Sequence, residues 1–334
     1  MYMRPAEWLA LARKEYLQTF IRGGGATVKF LVPTDEINRG GLKQGLRDIA
    51  ETEGYQFASV DASTTRVHMI DHVFHEIAQQ IDWDELSFSF VSHLLTEQGF
   101  TLPAQRYEFT VQKIAELNRR DERLLRQELH ALPEKCLIQD YQMSHEFRLA
   151  MIRLCQAHLG ADGMSPVPAE VIKEWLRGRL RRLVELKPAL IFQKVARDNA
   201  RYLLSSLSYW LHLVGKSGLM LVLDISRCLV PRPRPKDQHD ESRYYTQAMT
   251  LDTYEVLRQY IDATDELEFC FIVVIAPSAF LHPDERRGVY SYDALRMRIW
   301  DEVRDKRRMN PFSTLIRLSS SPGSGGASLQ ELSQ

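Results

Sequence analysis

The chain has 334 residues, 44% of them hydrophobic and 26% charged, with a formal net charge of −1. That length supports one large domain or two modest ones. The near-zero charge excludes a molecule drawn as a whole to nucleic acid or to an anionic membrane, so any such contact must come from a local patch.

Cys136, Cys155, Cys228 and Cys270 form no CxxC pair, which argues against a zinc ribbon or a dithiol redox motif. No apolar run reaches the ~20 residues of a membrane span. No leader-like segment is recognised, so the expectation is a cytoplasmic protein without a membrane partner.

Residues 5–21 carry Trp8, Leu9, Leu11, Ala12, Tyr16 and Phe20 at helical spacing. A GGG turn leads into the strand ATVKFLV, the loop from Leu31 to Gly41, a helix over LKQGLRDIAETEGY and a second strand, FASVD. Asp61 closes that strand and is read as a cap for the next helix, over residues 66–82. There His68, His72, His75 and Glu76 have a spacing that could hold a metal, but solvated or packing histidines satisfy it equally, and no metal is assigned.

From 84 to 215 the strand signal disappears. Helices are expected there with breaks at GFTLP, LPEK and LGADGMSPVP, and one of them runs through EVIKEWLRGRLRRL. This stretch carries a basic set at Arg119–Arg126. A second set, Arg177, Arg179, Arg181 and Arg182, is not balanced by local acids and suits phosphates or an acidic partner, with a solvated helix face as the plain alternative. Trp175, Leu176, Phe192 and Tyr202 are more apolar bulk than a satellite layer needs and suggest a partner surface.

Short apolar strands return at 219–223 and 269–276, of the kind buried in a parallel sheet. Between them lie the stiff basic segment PRPRPK, whose Arg232, Arg234 and Lys236 suit a partner or DNA contact with a flexible surface loop as the plain alternative, and a helix over 244–263. A helix around YDALRMRIWDEVRDKRR and a strand at STLIRLS follow, then a small polar tail. The organisation is an α/β core in two parts, 1–83 and 216–318, split by a helical insertion, 84–215, and closed by a tail, 319–334.

Strand, loop, helix, strand is the layout of a phosphate-binding loop, but the residue types differ. The best register is PTDEINRG, whereas a working loop needs two glycines, a lysine and a hydroxyl. Pro33 lacks an N–H, Asn38 stands for the second glycine, Arg39 for lysine and Gly40 for the hydroxyl. Asp35 and Glu36 add carboxylates where a triphosphate would lie. At roughly 5 Å and an effective dielectric near 20, each repels a phosphate charge by about 3 kcal/mol.

VIKEWLRGRL, VARDNARYLLSSLSYWL, VGKSGLMLVLD, FIVVIAPSAFL and RRGVYSYDALRMRI, in that order, resemble the BREX-type phage-defence ATP-binding protein family, of P-loop, AAA+/STAND-like type. The resemblance covers most of residues 10–300. It implies a P-loop NTPase-like parallel sheet in which Asp224 would hold Mg²⁺, the next residue would orient water, Ser278 would lie near the γ-phosphate, and Arg296 and Arg298 could act in trans in an oligomer, with core-rim ion pairs as an equal alternative for the two arginines. Ile225 can do nothing for water.

The expectation is therefore a degenerate phosphate loop and a catalytically inactive scaffold or regulatory subunit of an antiviral complex. No cofactor is expected, and the implied partners are a helicase or nuclease subunit, DNA and further copies of the chain. Two alternatives stand: an ATPase using Arg39 on phosphate and Asp224 on Mg²⁺, or a DNA-binding module.

Overall fold

A computed structural model of the protein describes residues 2–159, 167–230, 243–300, 310 and 312–320. Two compact units result, Met1–Val73 with Ser217–Gln334, and Phe74–Lys216.

The first unit is built on five parallel strands: β1 (Ala26–Pro33), β2 (Gln56–Asp61), β3 (Leu219–Asp224), β4 (Cys270–Ile275) and β5 (Leu315–Leu318), in the order β2-β3-β4-β1-β5. The central strands β3 and β4 are buried at all six positions, as their unbroken apolar runs predict for a parallel sheet covered on both faces. The registers Asp61↔Asp224 and Asp224↔Ile275 bring the strand ends level at one edge.

One face is covered by α1 (Pro5–Leu11), whose axis continues as a π-helix over Ala12–Phe20, and by α2 (Arg39–Thr52). Trp8, Leu17, Leu42, Leu46 and Phe271 pack there at the centre of the core. Glu53, just past α2, is tied to the π-helical stretch by Arg13 and Gln18 and sits below the usual carboxylate range because Arg13 donates to it. In β1, Lys29 is buried and gives its charge to the Phe312 and Ser313 carbonyls, at 2.7 and 3.2 Å. Gly218, before β3, has φ +136°, and a Cβ there would lie 2.2 Å from the Phe269 carbonyl oxygen, so only glycine fits the entry to the strand.

The second unit is helical, and α3 (Ile70–Gln79) spans the division. It contains α4 (Trp83–Glu97), α5 (Val111–Asn118), α6 (Glu122–Leu137), α7 (His145–Ala157), α8 (Ala169–Leu176) and α9 (Ala200–Leu213). The helix α7 is buried on all sides among α4, α6, α8 and α9, so its apolar and small residues run all round it. The expected break at LPEK does not occur: α6 runs through Pro133, which is buried, at the loss of one backbone hydrogen bond.

The helix expected to carry Arg177–Arg182 stops at Leu176. Gly178 takes φ +70°, its N–H bonds the Trp175 carbonyl at 3.1 Å, and the Arg179 N–H reaches back to the Glu174 carbonyl at 2.8 Å. This pair of bonds is a Schellman stop, and glycine is what allows it. Trp175 and Leu176 are core rather than partner surface; Phe192 and Tyr202 are exposed.

The first unit also holds α10 (Gln247–Asp262), whose N–H at Met249 is capped by Thr246, and the short α11 (Asp293–Ile299). Cys155, Cys228 and Cys270 are buried free thiols, and Cys136 is exposed. Residues 321–334, most of the expected tail, lie outside the described residues.

Candidate functional site at the carboxyl edge of the sheet

In open parallel sheets the polar site lies beyond the carboxyl ends of the strands, where loops and helix N-termini meet. Here that edge is formed by Pro33, Asp61, Asp224 and Ile275. Beyond Pro33 the chain makes a tight turn, with the Ile37 N–H on the Thr34 carbonyl at 3.0 Å and the Thr34 N–H on Leu318 at 2.9 Å.

Asn38 then caps α2: its Oδ1 accepts the N–H groups of Gly40 at 2.9 Å and Gly41 at 3.3 Å. A helix N-terminus offers such donors to an anion; in this chain a side chain of the loop occupies two of them. Arg39 is the first residue of α2, half-buried.

The centre of the edge is Lys43, one turn into α2. The buried faces of that helix use Leu42, Leu46 and Ala50, which turns Lys43 toward the ends of β2 and β3. Its Nζ lies 2.7 Å from Asp224 Oδ2 and donates to Asp61 Oδ2 at 2.8 Å. Burial pulls the ammonium down, yet the hydrogen bonds to Asp224 and Asp61 outweigh it and its pKa is raised. For Asp61, burial pushes the carboxyl up, but the bonds from Lys43 and Ser63 prevail and it falls below its ordinary value.

Asp61 Oδ1 also accepts from the Ser63 N–H at 2.8 Å and Oγ at 2.7 Å, and Asp224 Oδ1 accepts from the Ser226 N–H at 2.9 Å. Asp61 thus caps a local turn and does not cap α3, which starts nine residues later. Ile225 is buried, with its N–H on the Ile275 carbonyl at 2.9 Å. Ser278, just past β4, donates to Asp35 Oδ1 at 3.0 Å, and Ser320 donates to Glu36 Oε2 at 2.9 Å.

The structure therefore brings Pro33, Asn38, Arg39, Gly40, Asp224, Ile225 and Ser278 to one edge of one sheet. Lys43 is the residue the sequence reading missed. The signal for it was two neighbouring strands each ending in Asp, which demand a counterion from the helix that follows β1.

The other residues singled out lie elsewhere. Arg296 pairs with Asp293 at 2.9 Å and Arg298 with Asp262 at 2.5 Å. Arg232, Arg234 and Lys236 lie outside the described residues. His68 is buried edge-on against Tyr245, and among the described residues no three metal-ligating side chains gather.

An all-parallel α/β sheet with a cation held between two strand-end carboxylates beside a helix N-terminus defines the class of open-sheet α/β proteins whose polar site sits at the strand carboxyl ends. The chain belongs to the BREX system ATP-binding protein BrxC/D family, whose model matches residues 20–322. No curated protein and no solved structure matches it. Membership makes it a component of a BREX phage-defence system, and among the described residues no helix is long and apolar enough to cross a membrane.

Proposed function

We propose that this BREX component has a P-loop, AAA+/STAND-like core that acts as a scaffold or regulatory subunit and does not turn over ATP. The observation that carries this is the Asn38 cap on the Gly40 and Gly41 N–H groups. The residues present do not fit a nucleoside triphosphate with Mg²⁺: Pro33 has no N–H, Lys43 is held by two carboxylates, Asp35 and Glu36 are anionic, and Ile225 offers no base. Its partners in this reading are other subunits of the defence complex, of helicase or nuclease type.

An ATPase that uses Arg39 on phosphate and Asp224 on Mg²⁺ is the alternative. The convergence of Asp61 and Asp224 on one cation is the observation in its favour. Calorimetric titration of full-length protein with ATP–Mg²⁺ and a phosphate-release assay decide between them. Neither micromolar binding nor turnover is expected. Turnover that disappears in Asp224→Ala would overturn the scaffold reading. Asn38→Gly gives up only a few tenths of a kcal/mol of capping while freeing both N–H groups, so ATP binding gained in that variant alone identifies the cap as the block.

A further inference from the structure

The second unit carries a strongly basic surface that the nucleotide edge does not use. Between Arg177 and Tyr202 the sequence holds eight Lys or Arg against two carboxylates, Glu185 and Asp198. In the 119–126 set two of the arginines find partners, Arg120 with Glu128 and Arg126 with Glu122, both at 2.7 Å. Among the described residues Arg181, Arg182, Lys187, Lys194 and Arg197 make no such ion pair, and all five are exposed.

The segment is nevertheless pinned. Leu186, Ala189, Ile191 and Val195 are buried beneath it. The Trp175 indole donates to the Gln193 carbonyl at 3.0 Å, which folds residue 193 back beside the end of α8 and the first arginine of the run. Asn199 Nδ2 donates to the Lys194 carbonyl at 2.8 Å, which holds Lys194 against the start of α9.

Aromatic residues are interspersed with these charges along the segment. Phe192 is 59% exposed and Tyr202 52% exposed, and the Arg201 guanidinium lies 5.1 Å from the centre of the Tyr202 ring. An acidic protein would be met by the charges alone, and a duplex presents phosphates but keeps its base faces stacked inside. Cations interleaved with exposed rings match a single strand, whose phosphates are neutralised while its bases stack on aromatic side chains.

We infer that the face formed by residues 177–202 binds single-stranded nucleic acid. This rests on the second unit alone and is independent of whether ATP binds at the sheet edge. The test is fluorescence anisotropy of the full-length protein with a labelled oligo-dT, a hairpin duplex of equal charge and polyglutamate as competitor. The single strand is expected to bind most tightly. Phe192→Ala and Tyr202→Ala should each weaken it roughly five- to a hundredfold, with Tyr202→Phe retaining most of the affinity.

Four phosphate contacts would give a slope of about −3 in log K against log salt, and Arg181→Ala with Lys194→Ala should remove about 1.4 of it. All these side chains are exposed, and an unchanged circular dichroism melt will verify folding. An Arg181→Glu, Arg182→Glu variant gives a second loss-of-binding readout. An oligoribonucleotide that binds comparably would support the same chemistry. Absence of binding, preference for the duplex, equal displacement by polyglutamate, or insensitivity to Phe192→Ala and Tyr202→Ala would overturn the inference.

Discussion

Lys43→Met tests the electrostatics of the sheet edge. In the wild type one ammonium is shared by Asp61 and Asp224, which end adjacent strands; the Asp224 side chain is 8% exposed. Methionine keeps the bulk and removes the charge, leaving two carboxylates facing one another. Breaking a buried pair by deleting one partner costs ~3–5 kcal/mol. The Lys43 side chain is 25% exposed, so water relieves part of this and the lower end, about 3 kcal/mol, is expected. For a unit of this size that is roughly 6–12 °C in melting temperature.

The pH dependence should also change sign. In the wild type Asp61 is depressed, so its contribution is present above the unfolded carboxylate value near 4 and is lost as pH falls through the lower folded value. Lys43 is raised, so its contribution is present below about 10.5 and is lost as pH rises through its folded value. In Lys43→Met the two carboxylates repel, their protonation is favoured, and stability should rise as pH falls from 7 to 5. Urea denaturation followed by circular dichroism at pH 5, 7 and 9 measures both effects. Asp224→Asn added to Lys43→Met should recover most of the loss, and millimolar Mg²⁺ should stabilise the single variant but not the wild type. A Lys43→Met protein with wild-type stability and the wild-type pH slope would refute the ion-pair account.

Two further outcomes follow from other parts of the molecule. Gly178→Ala forces a side chain onto φ +70° and places its Cβ 2.6 Å from the His75 ring, so a loss of about 2 kcal/mol or more is expected in a thermal melt, with His75→Ala restoring the part due to the clash. Glu255 accepts from Arg258, Tyr292 and Gln259 and its carboxyl falls to about 2, chiefly through Arg258; its NMR titration should be centred there and move up in Tyr292→Phe, and its contribution to stability, present above about 4, should fade as pH falls toward 2.

The fold was legible where a single physical requirement dominates a stretch. LMLVL and FCFIVVI satisfy burial on both faces and nothing else, and they became β3 and β4. The segment after the first strand had helical periodicity, and it became α2; Asn38, read in the sequence as standing for a loop glycine, is its N-cap. What was not legible depended on competition between local signals. EVIKEWLRGRLRRL has the composition of one continuous helix, but Gly178 sits against His75, where no Cβ fits, and the left-handed turn wins. The arginines after it therefore project from an irregular segment, and no helical wheel could have grouped them with Phe192 and Tyr202.

Lys43 was hidden for a related reason. A search for a phosphate loop inspects fixed offsets from glycines, and Lys43 lies outside the PTDEINRG register. What selects it is the pairing of Asp61 with Asp224 across neighbouring strands, a fact of topology that appears only once the chain from residue 62 to 218 is known to return beside β2. Two carboxylates at that edge require a cation, and the helix after β1 is the element that can reach them. If the cluster's purpose is to hold the sheet together, Lys43 cannot be spared for a phosphate without leaving Asp61 and Asp224 opposed, and nucleotide binding would have to work against the ion pairs that close the strand ends.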